Sequence, residues 1–158
     1  MKMKNFVYVL LLMSFISFTS CSETTNDDDA GVSLVNVSKS DCKPIRTKAR
    51  ASSPFGDETV ECQALGNGRL VIAHNNSIFG CDDRVKTSLE NHKDVIYLKE
   101  KQETSRVNCV CPYDFTYTVS GLKNGQNYVL IIKSGSEEIC KMSFQYNSSL
   151  KLHYFVEK

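Results

Sequence analysis

The sequence predicts an all-β fold, a two-sheet sandwich of eight or nine strands, with a closed barrel as the alternative. Three observations predict it. Beyond residue 31 the apolar residues recur with period two, the mark of half-buried strands, and no stretch of eleven residues keeps a 3.6-residue period. Clusters of Gly, Asn and Ser separate the alternating runs at short, regular intervals.

Taken in order, residues 32–37 make a first short strand. Residues 59–65 and 69–74 flank Gly66-Asn67-Gly68, read as a three-residue hairpin loop in which Gly or Asn takes the positive φ of the turn. Residues 85–89 and 95–98 are two further short strands. The clearest strand covers residues 109–119, where Cys109, Cys111, Tyr113, Phe115, Tyr117 and Val119 share one face, so its cysteines point with its aromatics toward the core. Pro112 has no ladder donor and places that end of the strand at an edge or a bulge. Residues 121–127 carry turn chemistry, and the run Tyr128-Val129-Leu130-Ile131-Ile132, apolar on both faces, reads as a central strand. Ser134-Gly135-Ser136 turns the chain into a strand with Cys140, Met142, Phe144 and Tyr146 on one face. After Asn147-Ser148-Ser149 a last strand carries Leu150, Leu152, Tyr154 and Val156, so the C-terminal segment is structured.

Residues 31–158 fit one domain with one core. Ahead of them, Lys2 and Lys4 precede an apolar run at residues 6–18, thirteen residues long, which closes on Phe18-Thr19-Ser20-Cys21. At ~1.5 Å per residue that run is too short for ~30 Å of hydrocarbon, so it reads as the core of a secretion signal. The signal resembles the lipobox of bacterial lipoproteins, with Phe18 where Leu is commonest. The resemblance implies cleavage after residue 20, lipidation of Cys21 and attachment to the outer membrane, on its periplasmic or cell-surface face. Residues 22–30 hold no apolar side chain larger than Ala and read as a flexible acidic tether. Its triplet Asp27-Asp28-Asp29 resembles the acidic stretch of surface-exported lipoproteins of Bacteroidetes.

Charge excludes one class of partner. Loss of Lys2 and Lys4 with the signal reduces the 19 basic residues to 17, against 18 acidic ones, and such a balance leaves no electrostatic footprint for nucleic acid. Membrane association then rests on the lipid.

The chain has seven cysteines, an awkward number for a secreted protein. Lipidation of Cys21 leaves six, Cys42, Cys62, Cys81, Cys109, Cys111 and Cys140, which can form three disulfides in an oxidising envelope, among fifteen pairings that spacing does not resolve. No metal site is expected, because structural zinc sites show paired cysteine knuckles or spaced histidines and the one close pair here is Cys109-x-Cys111.

The stretch from Tyr117 through Gly121, Leu122, Gly125 and Tyr128 to Leu130 resembles the corner between the fifth and sixth strands of fibronectin type III and related immunoglobulin-like domains. Leu122, Gly125 and Tyr128 take the places of the tyrosine corner, and the resemblance implies a Tyr128 hydroxyl bonded to main chain near Leu122 and an immunoglobulin-like sandwich. The absence of Trp sets the chain apart from antibody-type domains. A longer resemblance runs over residues 67–132, in the order Asn67-Gly68-Arg69-Leu70, His74-Asn75-Asn76, Phe79-Gly80-Cys81, Val95-Ile96-Tyr97-Leu98-Lys99-Glu100 and Cys109-Val110-Cys111-Pro112-Tyr113-Asp114-Phe115. It is similar to a family of small uncharacterised lipoproteins of gut Bacteroidetes. That similarity implies location and fold, brings no reaction with it, and implies a disulfide between Cys81 and the Cys109/Cys111 pair.

His74, Asn75 and Asn76 with Asp82 and Asp83 form the best polar cluster, set around a strand end and a loop, and are the candidate loop for a small polar ligand or calcium. Read without a ligand, the same residues cap turns. No Gly-x-Ser-x-Gly elbow and no glycine-rich phosphate loop occurs, and cysteines in an oxidising compartment are not free nucleophiles. The expected function is therefore a lipid-anchored binding or assembly module of the cell envelope, not an enzyme and without a cofactor, whose partner is an envelope protein or glycan. An envelope inhibitor or small-ligand-binding protein is the alternative, and an envelope hydrolase ranks third.

Overall fold

The structure, a computed structural model, describes residues 31–44, 54–81, 84–103 and 108–157. The signal, Cys21 and the tether lie outside the described residues, as do Asp82 and Asp83. Among the described residues the chain forms nine strands: β1 Ser33–Lys39, β2 Thr59–Gly66, β3 Arg69–Gly80, β4 Val85–His92, β5 Val95–Gln102, β6 Val110–Ser120, β7 Asn127–Ser134, β8 Glu137–Gln145 and β9 Lys151–Phe155. They form two sheets, of order β1-β6-β3-β2-β9 and β4-β5-β7-β8. The expected two-sheet, all-β, disulfide-bearing fold is the one observed.

Alternation decides which side chains meet between the sheets. The even residues of early β3 (Leu70, Ile72) and the odd residues of β6 (Phe115, Tyr117, Val119) are buried in the first sheet, opposite Ile96 and Leu98 of β5 and Leu130 and Ile132 of β7 in the second. Phe79 meets Phe115 edge to face at 5.6 Å, and Tyr128 lies 5.9 Å from Phe144. Residues 128–132 do form an interior strand, β7, between β5 and β8. The β5–β7 pair is parallel, with Val95 opposite Val129. Parallel neighbours need a crossover, and β6 supplies it by running through the other sheet.

Two elements differ from the expected ones, the end of β3 and the β2–β3 hairpin. Strand β3 does not end at His74 but runs on to Gly80, because its register against β6 shifts between His74 and Ser77. The extra residue is absorbed by Asn75 and Asn76, the latter at φ 58°. This β-bulge changes the phase of the strand, so that Ile72 and His74 before it and Ser77 and Phe79 after it all point inward. Pro112 lies on β6, an interior strand, beside that bulge. It sits opposite Ile78 just past the bulge, beyond the last residue that β1 pairs. Gly66 is paired with Arg69, so the β2–β3 hairpin closes on two residues, Asn67 and Gly68, at φ 50° and 68°. Positive φ at both central positions is the turn whose twist matches the strands.

The corner before β7 is built on backbone. The Lys123 N–H donates to the Tyr128 hydroxyl at 2.8 Å, Leu122 is buried, and Gly125 adopts φ 80°. The Leu122 N–H donates to the Gly68 carbonyl at 3.0 Å, which seats the β2–β3 turn against the corner.

A Cβ on Gly68 would come within 2.6 Å of the Leu122 carbonyl oxygen, whereas one on Gly66 meets nothing within 4 Å. Both glycines have positive φ, so their Ala variants share a conformational cost of ~1 kcal/mol. Gly68→Ala is expected to lower unfolding free energy in urea by ~1 to 3 kcal/mol more than Gly66→Ala, since backbone must move. Equal losses would show that the turn does not rest on the corner.

Candidate functional site

Two polar residues occupy positions where alternation calls for apolar ones. His74 continues the inward face of Leu70 and Ile72 on β3, and Glu100 continues that of Ile96 and Leu98 on β5. Both are 0 % exposed. The sheets bring them together: His74 Nδ1 lies 2.9 Å from Glu100 Oε1, and His74 Nε2 lies 2.9 Å from Oε1 of Glu58, which precedes β2 and is 8 % exposed. Glu100 also accepts from the Tyr117 hydroxyl at 2.7 Å and from Ser77 Oγ at 3.2 Å. The bulge at Asn75–Asn76 is what allows both His74 and Ser77 to reach it.

Each imidazole nitrogen faces a carboxylate oxygen, so both donate and the ring is an imidazolium. Burial by itself would drive the proton off, but the hydrogen bonds and charges of Glu100 and Glu58 outweigh it and raise the His74 pKa to about 9. Burial and the neighbouring Glu100 carboxylate hold the Tyr117 hydroxyl protonated far above its ordinary range. Among the described residues every buried side-chain nitrogen and oxygen has a partner. This is the condition under which a buried ionic network is tolerated.

Glu58 and Ser77 reach from this network to the floor of a cleft of about 400 Å³. Its walls carry Ile78, Ser134 and Ile139, and Glu137, Glu138 and Glu157 add three carboxylates to that of Glu58. The β7–β8 hairpin supplies Glu137 and Glu138, and the Val156 N–H, bonded to the Glu58 carbonyl at 3.0 Å, fixes the segment that carries Glu157.

Of the residues expected to hold a ligand, the described ones are not in a loop. His74, Asn75 and Asn76 lie inside β3, and full burial keeps His74 from any external ligand. Asn75 donates toward Thr59 and Glu61, while Asn76 donates to the Asp57 carbonyl and to Asp114 and accepts from Lys43. These amides hold the bulge and the neighbouring chain. His92 and His153 stand elsewhere, against Tyr97 and Phe155.

Of the six cysteines, four form two disulfides, Cys42–Cys111 and Cys81–Cys109, and not the three expected. They close separations of 69 and 28 residues, each worth about 4 kcal/mol through restriction of the unfolded chain. Cys62 on β2 and Cys140 on β8 are free thiols buried between the sheets, Cys62 Sγ lying 3.8 Å from Met142 Sδ. They pack as small apolar side chains. Burial first, then negative neighbours (Cys140 for the one, Glu138 for the other), pushes both thiols up to about 12.

Sequence reading missed Glu58, Glu100, Tyr117 and Ser77 as members of a site. The available signal was phase: a His and a Glu on the inward face of otherwise apolar strands. Comparison with protein-family models, with curated proteins and with solved structures finds no match.

Folded His74 holds its proton up to about pH 9, while the unfolded residue releases it from about 6.5. Its contribution is therefore complete below pH 6.5 and is lost as pH rises toward 9, by about 3 kcal/mol in all. Urea unfolding at fixed pH steps should show stability falling across this window, before the buried thiols add a loss of the same sign above pH 9. Glu100→Gln is expected to flatten that slope and to cost ~3 kcal/mol or more at pH 6. A flat wild-type profile between pH 6.5 and 9 would disprove the imidazolium.

Proposed function

We infer that this chain is a non-catalytic binding module of the cell envelope, held at the outer membrane by lipid on Cys21 and reaching outward on residues 22–30. Its folded domain takes an amine- or guanidinium-bearing group of an envelope protein into the cleft. The observation that carries this reading is the cleft itself, a concave space of about 400 Å³ lined by Glu58, Glu137, Glu138 and Glu157 together with Ser77 and Ser134. Opposite charge held in a concavity focuses the field on a cationic guest, and apolar walls give its carbon chain a surface.

The chemistry of the buried groups supports binding over catalysis. An imidazolium with both nitrogens committed to carboxylates has no lone pair with which to accept a proton. The two free thiols, raised to about 12, are not thiolates at neutral pH. The corner around Tyr128 supports kinship with immunoglobulin-like domains, which serve widely as binding modules. The lipoprotein resemblance supports the location.

Two measurements test the reading. Isothermal titration with a short Lys/Arg peptide should show saturable binding that weakens at least ~fivefold in half-molar salt and is lost in Glu137→Gln/Glu138→Gln. No binding by the wild type, or binding that the double variant retains, rejects the cleft. Fractionation of cells carrying Cys21→Ser should move the protein from membranes to the soluble envelope fraction, and an unchanged membrane pool rejects the lipid anchor.

A further inference from the structure

The two disulfides lie side by side. The Sγ atoms of Cys42, Cys81 and Cys111 all lie within 4.8 Å of one another, and Cys109 is bonded to Cys81, so four sulfurs share one place at the edge of the sandwich. They arrive on three separate segments: Cys42 follows β1, Cys81 follows β3, and Cys109 and Cys111 flank the first residue of β6. Contacts that involve no sulfur already fasten these segments together. The Lys43 N–H donates to the Pro112 carbonyl at 3.0 Å, the Cys81 N–H to the Cys109 carbonyl at 3.1 Å, and the Tyr113 hydroxyl to the carbonyls of Gly80 and Cys81 at 3.1 and 3.2 Å. Opening the bridges therefore leaves four thiols juxtaposed.

We propose that, with both bridges reduced, Cys42, Cys81, Cys109 and Cys111 form a tetrathiolate site for one zinc ion. Tetrahedral zinc–sulfur bonds of ~2.3 Å set neighbouring sulfurs ~3.8 Å apart, inside the 4.8 Å within which the Sγ atoms of Cys42, Cys81 and Cys111 already lie, and Cys109 joins them through its bond to Cys81. The absence of a Cys-x2-Cys knuckle does not count against the site, because its ligands are gathered by sheet order and not by local spacing. Each bridge accepts two electrons and two protons from a dithiol, which is itself oxidised to a disulfide. The four thiols then release four protons as the ion binds. The filled site carries net charge −2, four thiolates against one divalent ion. Disulfides and metal tie the same three segments, so this end of the sandwich stays closed in either redox state. Cys62 and Cys140, on β2 and β8 between the sheets, take no part. The proposal is independent of the cleft.

The test uses the full chain with Cys21→Ser, reduced anaerobically with a phosphine that is then removed. Zinc is titrated with native mass spectrometry as the readout, and cadmium with the ultraviolet thiolate-to-metal charge-transfer band. One ion per chain, a metal-dependent rise in melting temperature, and unchanged uptake in Cys62→Ser/Cys140→Ser are expected, with affinity lowered at least ~tenfold in Cys111→Ser. The melting shift is read on the chain with its cluster intact, so misfolding of the Cys111 variant does not decide the outcome. No uptake by the reduced chain, or uptake that Cys111→Ser retains and Cys62→Ser/Cys140→Ser abolishes, overturns the proposal.

Discussion

The imidazolium of His74, held between Glu58 and Glu100, is the interaction around which the two sheets are arranged. It joins the entry of β2 and the middle of β3 to β5 of the opposite sheet, and Tyr117 of β6 and Ser77 of β3 complete the shell of Glu100. Two carboxylates and one cation out of water are expensive, and a well-packed apolar trio could be as stable. What the network adds is uniqueness. A sheet slipped by one residue would turn His74 or Glu100 outward and leave its partners charged and unpaired in the core, so register is set by electrostatics as well as by shape.

That arrangement depends on a local irregularity. In an unbroken strand His74 and Ser77, an odd number of residues apart, would point to opposite faces; the bulge at Asn75–Asn76 puts them on the same one. Asp114, Lys43 and the Asp57 carbonyl occupy the polar groups of Asn76, holding its left-handed backbone in place. The residues that look most like a ligand loop in the sequence are thus spent on geometry. Beyond the bulge, β3 continues to the sulfur cluster at its end, where β1 and β6 also arrive. One strand carries the buried cation and the bulge and leads directly into Cys81 of the cross-linked edge.

The functional reading follows from what this construction exposes and what it withholds. The imidazole of His74 and the thiols of Cys62 and Cys140 are buried with their protons held. Four glutamates, Glu58 among them, line a cleft beside the ion network, and the proposed binding role rests on that concavity.

Much of the architecture was legible in the sequence, because alternation with period two and turn chemistry are local properties. They located the strands and the interior position of residues 128–132, while the Tyr128 corner with its Leu122 and Gly125 came from the resemblance to immunoglobulin-like domains. Strand limits shifted where a two-residue bulge looked like a turn, at Asn75–Asn76, and where a hairpin closed one residue tighter than it read, at Gly66. The phase of His74 and Glu100 was visible too, but not that they meet, since they lie 26 residues apart and Glu58 lies 16 from His74. Sheet order alone decided which charges pair, which four sulfurs gather, and which two thiols stay unbridged in the core. Such contacts join residues distant in the chain, and the free energy that selects them comes from burying both sheets at once, a quantity no local stretch of sequence contains.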